Sequence, residues 1–256
     1  MAEFAAIGFD DFQETADGFI TNTRTNIDII TVDQIIKQYT EESGASYTVE
    51  EVAIENWNIK WEASYQPIII ADKCIVRASF HPPAPDYEIE IIINPKMSFG
   101  TGHHETTHLM MEAQLAIDHQ DKSILDAGCG TGILSILSGK LGAKSITAFD
   151  IDIWVMDNIQ ENFKINKTKG NILQGTVQSL IFEKKFDIVL ANINKNILLL
   201  DIPSYAKLLK SNGCLLLSGF YQSDLNEIEQ LALDNGLQLR LTNTKNDWAV
   251  AQFLPI

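Results

Sequence analysis

The stretch "ILDAGCGTGILSI", residues 124–136, decides the fold expected of this chain. It opens with a short apolar run suited to a buried strand, and Asp126 stands near the end of that run. Gly128, Gly130 and Gly132 follow, and an apolar helical pattern comes after them. Glycine permits sharp turns and lets the backbone approach a ligand closely. A strand, a glycine-rich turn and a helix in this order predict a ligand site at the carboxyl end of a parallel strand.

The segments around this stretch alternate between short apolar strands and helices. Such alternation is typical of a parallel sheet with helices on both faces. We therefore expect an α/β fold, a Rossmann-like domain whose seven-stranded sheet is mostly parallel with an antiparallel C-terminal strand. The predicted strands are Ser123–Asp126, Ser145–Phe149, Asn171–Gln174, Phe186–Ala191, Cys214–Ser218, Leu237–Thr242 and Trp248–Leu254, and the predicted helices are His104–Ile117, Gly132–Leu141, Ile153–Asn166, Ile197–Lys210 and Ser223–Asn235.

The first part of the chain lacks this alternation and predicts a small α+β domain over residues 1–60. Its predicted elements are extended stretches at Ala5–Phe9 and Phe19–Asn22 and helices at Thr31–Thr40 and Asn56–Glu62. The domain boundaries expected after it are a connecting β-rich segment over residues 61–94, with strand-forming runs at 67–80 and 87–93, and the main domain over residues 95–256.

The charge balance limits the classes of partner. The chain has 19 basic and 34 acidic residues, a net charge of −15. Affinity for phosphate backbones comes from clustered lysine and arginine, so direct nucleic-acid binding is disfavoured and a basic protein partner is favoured. The three cysteines are isolated, which is typical of a reducing cytoplasm. No apolar run is long enough to span a membrane, and we expect a cytoplasmic monomer.

The string "HETTH", residues 104–108, matches the H-E-x-x-H pattern of zinc peptidases. His104 and His108 would share one face of a helix, but a catalytic zinc needs a third protein ligand. Glu112 lies about 12 Å from His104 along a helix, too far for both side chains to bind one ion. The next downstream carboxylate, Asp126, belongs to the glycine-rich turn. We therefore expect no metal site.

The glycine spacing decides between cofactors. The dinucleotide fingerprint G-x-G-x-x-G requires glycine where this chain has Ile133. Asp150 ends the next strand, about twenty residues on, where a carboxylate can accept both hydroxyls of a ribose. An acid two residues before a G-x-G-x-G run, with a second acid on the next strand, is typical of S-adenosylmethionine-dependent methyltransferases of class I. We therefore predict an S-adenosylmethionine site that includes Asp126, Gly128, Gly130 and Asp150.

A third element, "FDIVLANINKNIL" at residues 186–198, supplies the candidate catalytic residue. Many amino-group methyltransferases carry Asp/Asn-Pro-Pro-aromatic at this place, whereas this chain has Asn192-Ile-Asn-Lys. No aromatic residue is present to stack on a base, which disfavours a nucleic-acid base as the methyl acceptor. The Asn192 amide oxygen can accept the N–H of an amine. Asn192 is also in a favoured position to cap the following helix, and the two roles are compatible.

These motifs together resemble the PrmA family, bacterial methyltransferases that modify the eleventh protein of the large ribosomal subunit. The matching segments are "NWNIKWE" (56–62), "FGTGHHETT" (99–107), "LDAGCGTGILSI" (125–136), "FDID" (149–152) and "ANI" (191–193). The resemblance implies methylation of lysine side chains and of the N-terminal amine of a basic ribosomal protein, with the small N-terminal domain recognising that protein.

The resemblance also implies site residues. Carried over by position, the cofactor contacts fall on Thr107, Gly128, Asp150 and Asn192, and "HETTH" becomes part of a loop and helix that cover the cofactor. One alternative function stays open from the sequence. The chain would then be a small-molecule S-adenosylmethionine-dependent methyltransferase whose N-terminal domain serves only as a lid.

Overall fold

The computed structural model describes residues 1–9, 11–23, 29–43, 46–48, 50, 65–94 and 100–256. The chain divides into two compact units, Met1–Trp57 and Asn58–Ile256. The predicted helix Asn56–Glu62 and the predicted domain boundary after residue 60 lie outside the described residues, so both stay predictions. No helix in the described part of the chain is long and apolar enough to cross a bilayer.

The first unit combines two helices with a β-hairpin. Its elements are α1 (Ala2–Ala6), β1 (Asp11–Thr15), β2 (Gly18–Asn22) and α2 (Ile29–Ser43), with β1 and β2 antiparallel. The prediction of an extended stretch at Ala5–Phe9 is wrong, because most of α1 is alanine, a strong helix former. The ring of Phe4 lies 5.6 Å from the rings of both Phe9 and Phe19, which joins the helix end to the hairpin.

The second unit is an alternating α/β domain. Its elements in chain order are β3 (Ile68–Ile70), β4 (Cys74–Arg77), β5 (Ile89–Ile92), α3 (Glu105–Leu115), β6 (Ser123–Ala127), α4 (Ile133–Lys140), β7 (Ser145–Asp150), α5 (Ile153–Ile165), β8 (Asn171–Gln174), β9 (Phe186–Asn192), α6 (Lys195–Leu208), β10 (Leu209–Tyr221), a 3-10 turn (Gln222–Asp224), α7 (Leu225–Asp234), β11 (Leu237–Lys245) and β12 (Trp248–Pro255).

Seven of these strands form one sheet in the order β11-β12-β10-β9-β6-β7-β8. The strands from β10 to β8 run parallel, and β12 is antiparallel to both of its neighbours. The predicted fold is therefore confirmed. The chain leaves β6 toward β7 on one side, and β9 returns to the other side of β6. Ligands of open α/β sheets bind at the carboxyl ends of strands at such a reversal.

The sheet buries apolar side chains on both faces. Ile188 and Leu190 of β9 belong to one core cluster, whereas the alternating residues Val189 and Ala191 belong to the other. Successive side chains of a strand point to opposite faces, so this strand is covered on both sides. That double burial explains why the central strands are continuous apolar runs in the sequence.

The predicted connecting segment forms a separate three-stranded sheet, β3-β4-β5, that packs into the first of these clusters through Ile70, Ile91 and Ile93. The β-rich run predicted at 67–80 contains two strands, because a tight turn divides it. Ala71 and Asp72 in that turn both have left-handed φ values, 50° and 54°. Strands β3 and β4 are the antiparallel arms of the resulting hairpin.

Two asparagines of α5 and its C-cap bind this small sheet to the main domain. Asn166 accepts a hydrogen bond from the Ile92 N–H at 2.8 Å and donates one to the Ile92 carbonyl at 2.7 Å. One helical turn earlier in α5, Asn162 accepts from the Asn94 N–H at 3.2 Å and donates to the Thr131 carbonyl at 3.0 Å. The amide side chain of Asn166 thus satisfies the open edge of β5 as a neighbouring strand would.

Replacing this side chain should destabilise the domain. We expect Asn166→Ala to lower the free energy of unfolding by about 2–4 kcal/mol, because both backbone groups of Ile92 lose their partner. Equilibrium denaturant unfolding measures the difference. Lys164→Ala, at an exposed position in the same helical turn, is the matched control and should stay within about 0.5 kcal/mol of wild type. Equal effects of the two substitutions would contradict the bridging role.

Candidate active site

Three neighbouring strands end at one level and bring the predicted site residues together. Ala127 at the end of β6 pairs with Phe149 of β7 on one side and with Ala191 of β9 on the other. The residues that follow these three, Gly128, Asp150 and Asn192, are therefore adjacent at the carboxyl edge of the sheet. The strand order thus supports the predicted grouping.

The glycine-rich loop takes a conformation that few other residues adopt. Gly128, Gly130 and Gly132 have φ values of 65°, 52° and 80°. A side chain at these positions would be strained, and a Cβ at Gly132 would lie 2.6 Å from Ile159 Cγ1. The loop is therefore built on glycine both for its backbone conformation and for its close approach to α5.

Backbone donors of the loop are fixed by the end of β7. The N–H groups of Gly128 and Cys129 both donate to the Phe149 carbonyl, at 2.9 and 3.0 Å. The Gly130 N–H donates to Asp150 Oδ2 at 3.0 Å, and the Asp152 N–H donates to Asp150 Oδ1 at 3.1 Å. Asp150 remains partly exposed, so its carboxylate keeps acceptor capacity for a ligand.

Asp126 supports the loop from the core side. It is 1% exposed, and its Oδ2 accepts hydrogen bonds from the Ser135 N–H at 3.1 Å and the Ser135 hydroxyl at 2.6 Å. Burial raises the pKa of Asp126 to about 6, against the lowering effect of the two Ser135 hydrogen bonds. Asp126 thereby holds the start of α4 against the end of β6, and its part in cofactor binding stays a prediction.

Thr107 and Asn192 are in contact at the carboxyl end of β9. The Asn192 side-chain nitrogen donates to the Thr107 hydroxyl at 3.2 Å, and Thr107 is fully buried on α3. The amide oxygen of Asn192 is buried and has no hydrogen-bond partner among the described residues. A buried acceptor without a partner costs about 1–3 kcal/mol, so this oxygen is suited to a donor from a bound molecule.

The capping interpretation of Asn192 is wrong. The cap of α6 is Asn194, whose side chain accepts from the Ile197 N–H at 3.2 Å. The helix consequently begins at Lys195, two residues before its predicted start. Asn192 lies at the end of β9, which leaves its amide oxygen available to the site.

The polar residues of "HETTH" take other partners than a metal. His104 caps α3, with its Nδ1 accepting from the Thr106 N–H at 3.3 Å. His108 Nε2 lies 3.1 Å from Glu112 Oε1, one helical turn away. No group of three His, Cys, Asp or Glu residues able to hold a metal occurs in the part of the chain that the structure describes.

Sequence reasoning missed an aromatic cluster beside the start of α3. The Trp248 ring lies 4.8 Å from the His104 ring and 4.2 Å from the Tyr221 ring. The turn that precedes Trp248 also reaches α3, where Asn246 donates to Glu105 at 3.2 Å. The sequence indicates the hairpin, but it gives no distance between residues that lie more than a hundred positions apart. This cluster can therefore be recognised only once the order of the strands is known.

With this geometry established, comparison with known proteins identifies the family. Residues 13–254 match the family profile described as "Ribosomal protein L11 methyltransferase (PrmA)". The chain belongs to the PrmA family. Ribosomal protein L11 methyltransferase of Porphyromonas gingivalis is 43% identical over 99% of this chain and 89% of its own length. The protein of the same name from Phocaeicola vulgatus is 38% identical over 97% of this chain and 90% of its own length.

A solved structure agrees with this assignment. The ribosomal protein L11 methylase of Lactobacillus delbrueckii subsp. bulgaricus superposes with a TM-score of 0.68 and 30% identity, over 75% of this chain and 99% of that one. The PrmA chain described here is therefore a methyltransferase, and S-adenosylmethionine is the cofactor expected of it.

The residues present fit this cofactor. A partly exposed carboxylate, Asp150, offers acceptor oxygens suited to the hydroxyl groups of a ribose, and Gly128 and Gly130 present backbone without side chains beside it. The amide oxygen of Asn192, which has no hydrogen-bond partner among the described residues, lies at the end of β9, on the other side of β6 from Asp150. When bound, S-adenosylmethionine supplies an electrophilic methyl group.

The buried carboxyl of Asp126 should make stability depend on pH. Its pKa of about 6 lies above the unfolded value of about 3.9, so as the pH rises the unfolded chain releases this proton first. The stability that the bound proton contributes is present below about pH 4 and is lost as the pH rises through 6. The loss should amount to about 3 kcal/mol, at about 1.36 kcal/mol per pKa unit.

Denaturant unfolding of wild type and Asp126→Asn between about pH 4 and pH 8 measures this loss. The stability of the variant relative to wild type should increase with pH, because the amide does not ionise. Asp157→Asn, at an exposed position of α5, controls for the change in net charge. A difference between Asp126→Asn and wild type that is constant across this range would contradict the assignment.

Proposed function

We propose that this enzyme transfers methyl groups from S-adenosylmethionine to amines of ribosomal protein L11, both lysine side chains and the N-terminal amine. The observation that carries the proposal is the buried, unpartnered oxygen of Asn192, held beside Thr107 at the carboxyl edge of the sheet. An uncharged acceptor at this place suits an amine N–H. The names of the relatives support the choice of ribosomal protein.

The chemistry requires a neutral amine, whereas a free lysine has a pKa of about 10.4. Burial disfavours the charged form and lowers the pKa of the amine. A carboxylate beside the amine would oppose this effect and hold it as ammonium. Asn192 provides hydrogen bonding without charge, so it orients the amine lone pair toward the methyl group and leaves the amine free to lose its proton. Positioning of this kind is a large part of catalysis for two bound reactants.

The charge of the chain supports a basic protein as the partner. At −15, the chain attracts a lysine-rich surface over long range and repels the phosphate backbone of RNA. We assign recognition of that partner to the N-terminal unit, acting as part of a cytoplasmic monomer that makes no direct contact with nucleic acid.

The substrate class is tested with the full-length enzyme and isotopically labelled S-adenosylmethionine. Purified ribosomal protein L11 is one acceptor, and a protein-free pool of cellular amines is the other. Mass spectrometry of the products should find label on lysine side chains and on the N-terminal amine of the protein. Label confined to the protein-free pool would instead support a small-molecule methyltransferase with an N-terminal lid.

The role of Asn192 predicts a specific effect of charge. Asn192→Asp keeps the shape of the side chain but places a carboxylate beside the amine, which raises the amine pKa. We expect kcat at neutral pH to fall by about tenfold or more, since one pKa unit changes the neutral fraction tenfold. The defect should shrink as the pH rises, and binding of S-adenosylhomocysteine, the product left when the cofactor gives up its methyl group, should survive when measured by calorimetry.

Asn194→Asp is the matched control for this test. It introduces the same carboxylate two residues further along, and aspartate is as good a helix cap as asparagine. We expect wild-type kcat and pH dependence from it. Near-normal kcat of Asn192→Asp at neutral pH would refute the orienting role.

A further inference from the structure

Ile193 is packed between two glycines that lie far apart in the sequence. A Cβ built on Gly128 would overlap with Ile193 Cγ2, so the side chain of Ile193 rests directly on the first glycine of the cofactor loop. A Cβ built on Gly219 would overlap with the Ile193 carbonyl and lie 2.6 Å from its carbonyl carbon. The isoleucine is therefore held by its side chain on one side and by its backbone on the other.

Gly219 is itself placed by the sheet. Ser218 pairs with Asn192, and the register between β10 and β12 shifts at the next residue. Gly219 has a φ of 97°, a value open to glycine but strained for other residues. This local irregularity makes room for the Ile193 peptide immediately beyond the end of β9.

We propose that Ile193 is a positioning residue that joins the cofactor loop to Asn192. A cofactor bound at the loop then fixes the position of the Asn192 amide oxygen, which accepts the N–H of the amine substrate. Asn192 is the preceding residue, and its backbone cannot shift without moving the Ile193 peptide, which Gly219 confines. Ile193 is β-branched and has few rotamers available, so the contact with Gly128 is stiff. Protein interiors are packed densely enough to transmit displacements across such contacts.

The consequence is a coupling between the two substrates. If a filled loop fixes Ile193, and Ile193 fixes Asn192, the cofactor increases the affinity for the amine. The amine increases the affinity for the cofactor by the same factor, because binding equilibria are reciprocal. This inference rests on the proposed contact of Asn192 with the amine, whereas the contact between Gly128 and Ile193 can be tested without it.

The contact itself is tested by a double-mutant cycle on the full-length enzyme. The readout is the dissociation constant of S-adenosylhomocysteine measured by calorimetry, which needs no activity. Gly128→Ala should weaken binding by about 100-fold, since it adds a steric overlap with Ile193 to a left-handed backbone cost of about tenfold. In the Ile193→Ala background the overlapping methyl is gone, and only the backbone cost of about tenfold should remain.

Ile193→Val distinguishes the contact between Ile193 Cγ2 and Gly128 from the effect of a smaller side chain in general. Valine keeps both branches at Cβ, including the Cγ2 atom that faces Gly128, so the penalty of Gly128→Ala should stay near 100-fold in that background. Equal penalties in the Ile193→Ala and wild-type backgrounds would overturn the contact. Circular dichroism of each variant confirms that the chain has folded before binding is compared.

The positioning role is tested by the affinity for ribosomal protein L11 with and without saturating S-adenosylhomocysteine. Wild type should bind L11 more tightly with the ligand present, and Ile193→Ala should lose most of that difference. Ile193→Ala should also lower kcat about tenfold while keeping the wild-type pH profile, whereas Asn192→Asp changes that profile. Unchanged coupling in Ile193→Ala would refute the positioning role. A different outcome would refute only the proposed role of Asn192. In that outcome Asn192→Asp has normal kcat and pH dependence, while the penalty of Gly128→Ala on S-adenosylhomocysteine binding is still tenfold smaller in the Ile193→Ala background than in wild type.

Discussion

The backbone N–H groups of the glycine-rich loop need acceptors, and the rest of the site follows from where they find them. The loop leaves β6 at Gly128 and cannot continue the ladder of the sheet. The N–H groups of Gly128 and Cys129 both donate to the carbonyl of Phe149. The N–H of Gly130 donates to the carboxylate of Asp150. Unpaired backbone groups are costly when buried, so the loop is drawn over the end of β7.

The same need for acceptors explains why Asp150, at the end of β7, binds two separate segments of backbone. Asp150 binds the loop through one oxygen and the turn before α5 through the other. A carboxylate has more acceptor sites than these two bonds use, which leaves capacity for the ribose of the cofactor. Because Asp150 also shapes the loop, one residue sets both the position of the glycines and the position of the proposed ribose acceptor.

The sequence was informative wherever a local pattern determines structure. Apolar runs gave the strands of the sheet, and glycine spacing with Asp150 gave the cofactor class, because each depends on residues close together in the chain. Two kinds of feature were not evident from the sequence, each for a physical reason. The turn at Ala71–Asp72 divides the β-rich run at 67–80 into two strands, and hydrophobicity alone does not locate that turn. Long-range polar contacts, such as Asn166 with Ile92 or Asn192 with Thr107, join residues 74 and 85 positions apart.

The departure of this chain from the Asp/Asn-Pro-Pro-aromatic pattern has a structural explanation. A proline fixes φ through its ring, and two prolines after the acceptor residue would hold it rigidly. Ile193 has no such ring, but Gly128 and Gly219 confine its side chain and its peptide from opposite sides. The rigidity then comes from packing, which reaches both the cofactor loop and the neighbouring strand, rather than from a covalent ring confined to its own residue. A site built in this way can be stiff at Asn192 and still respond to what the loop holds.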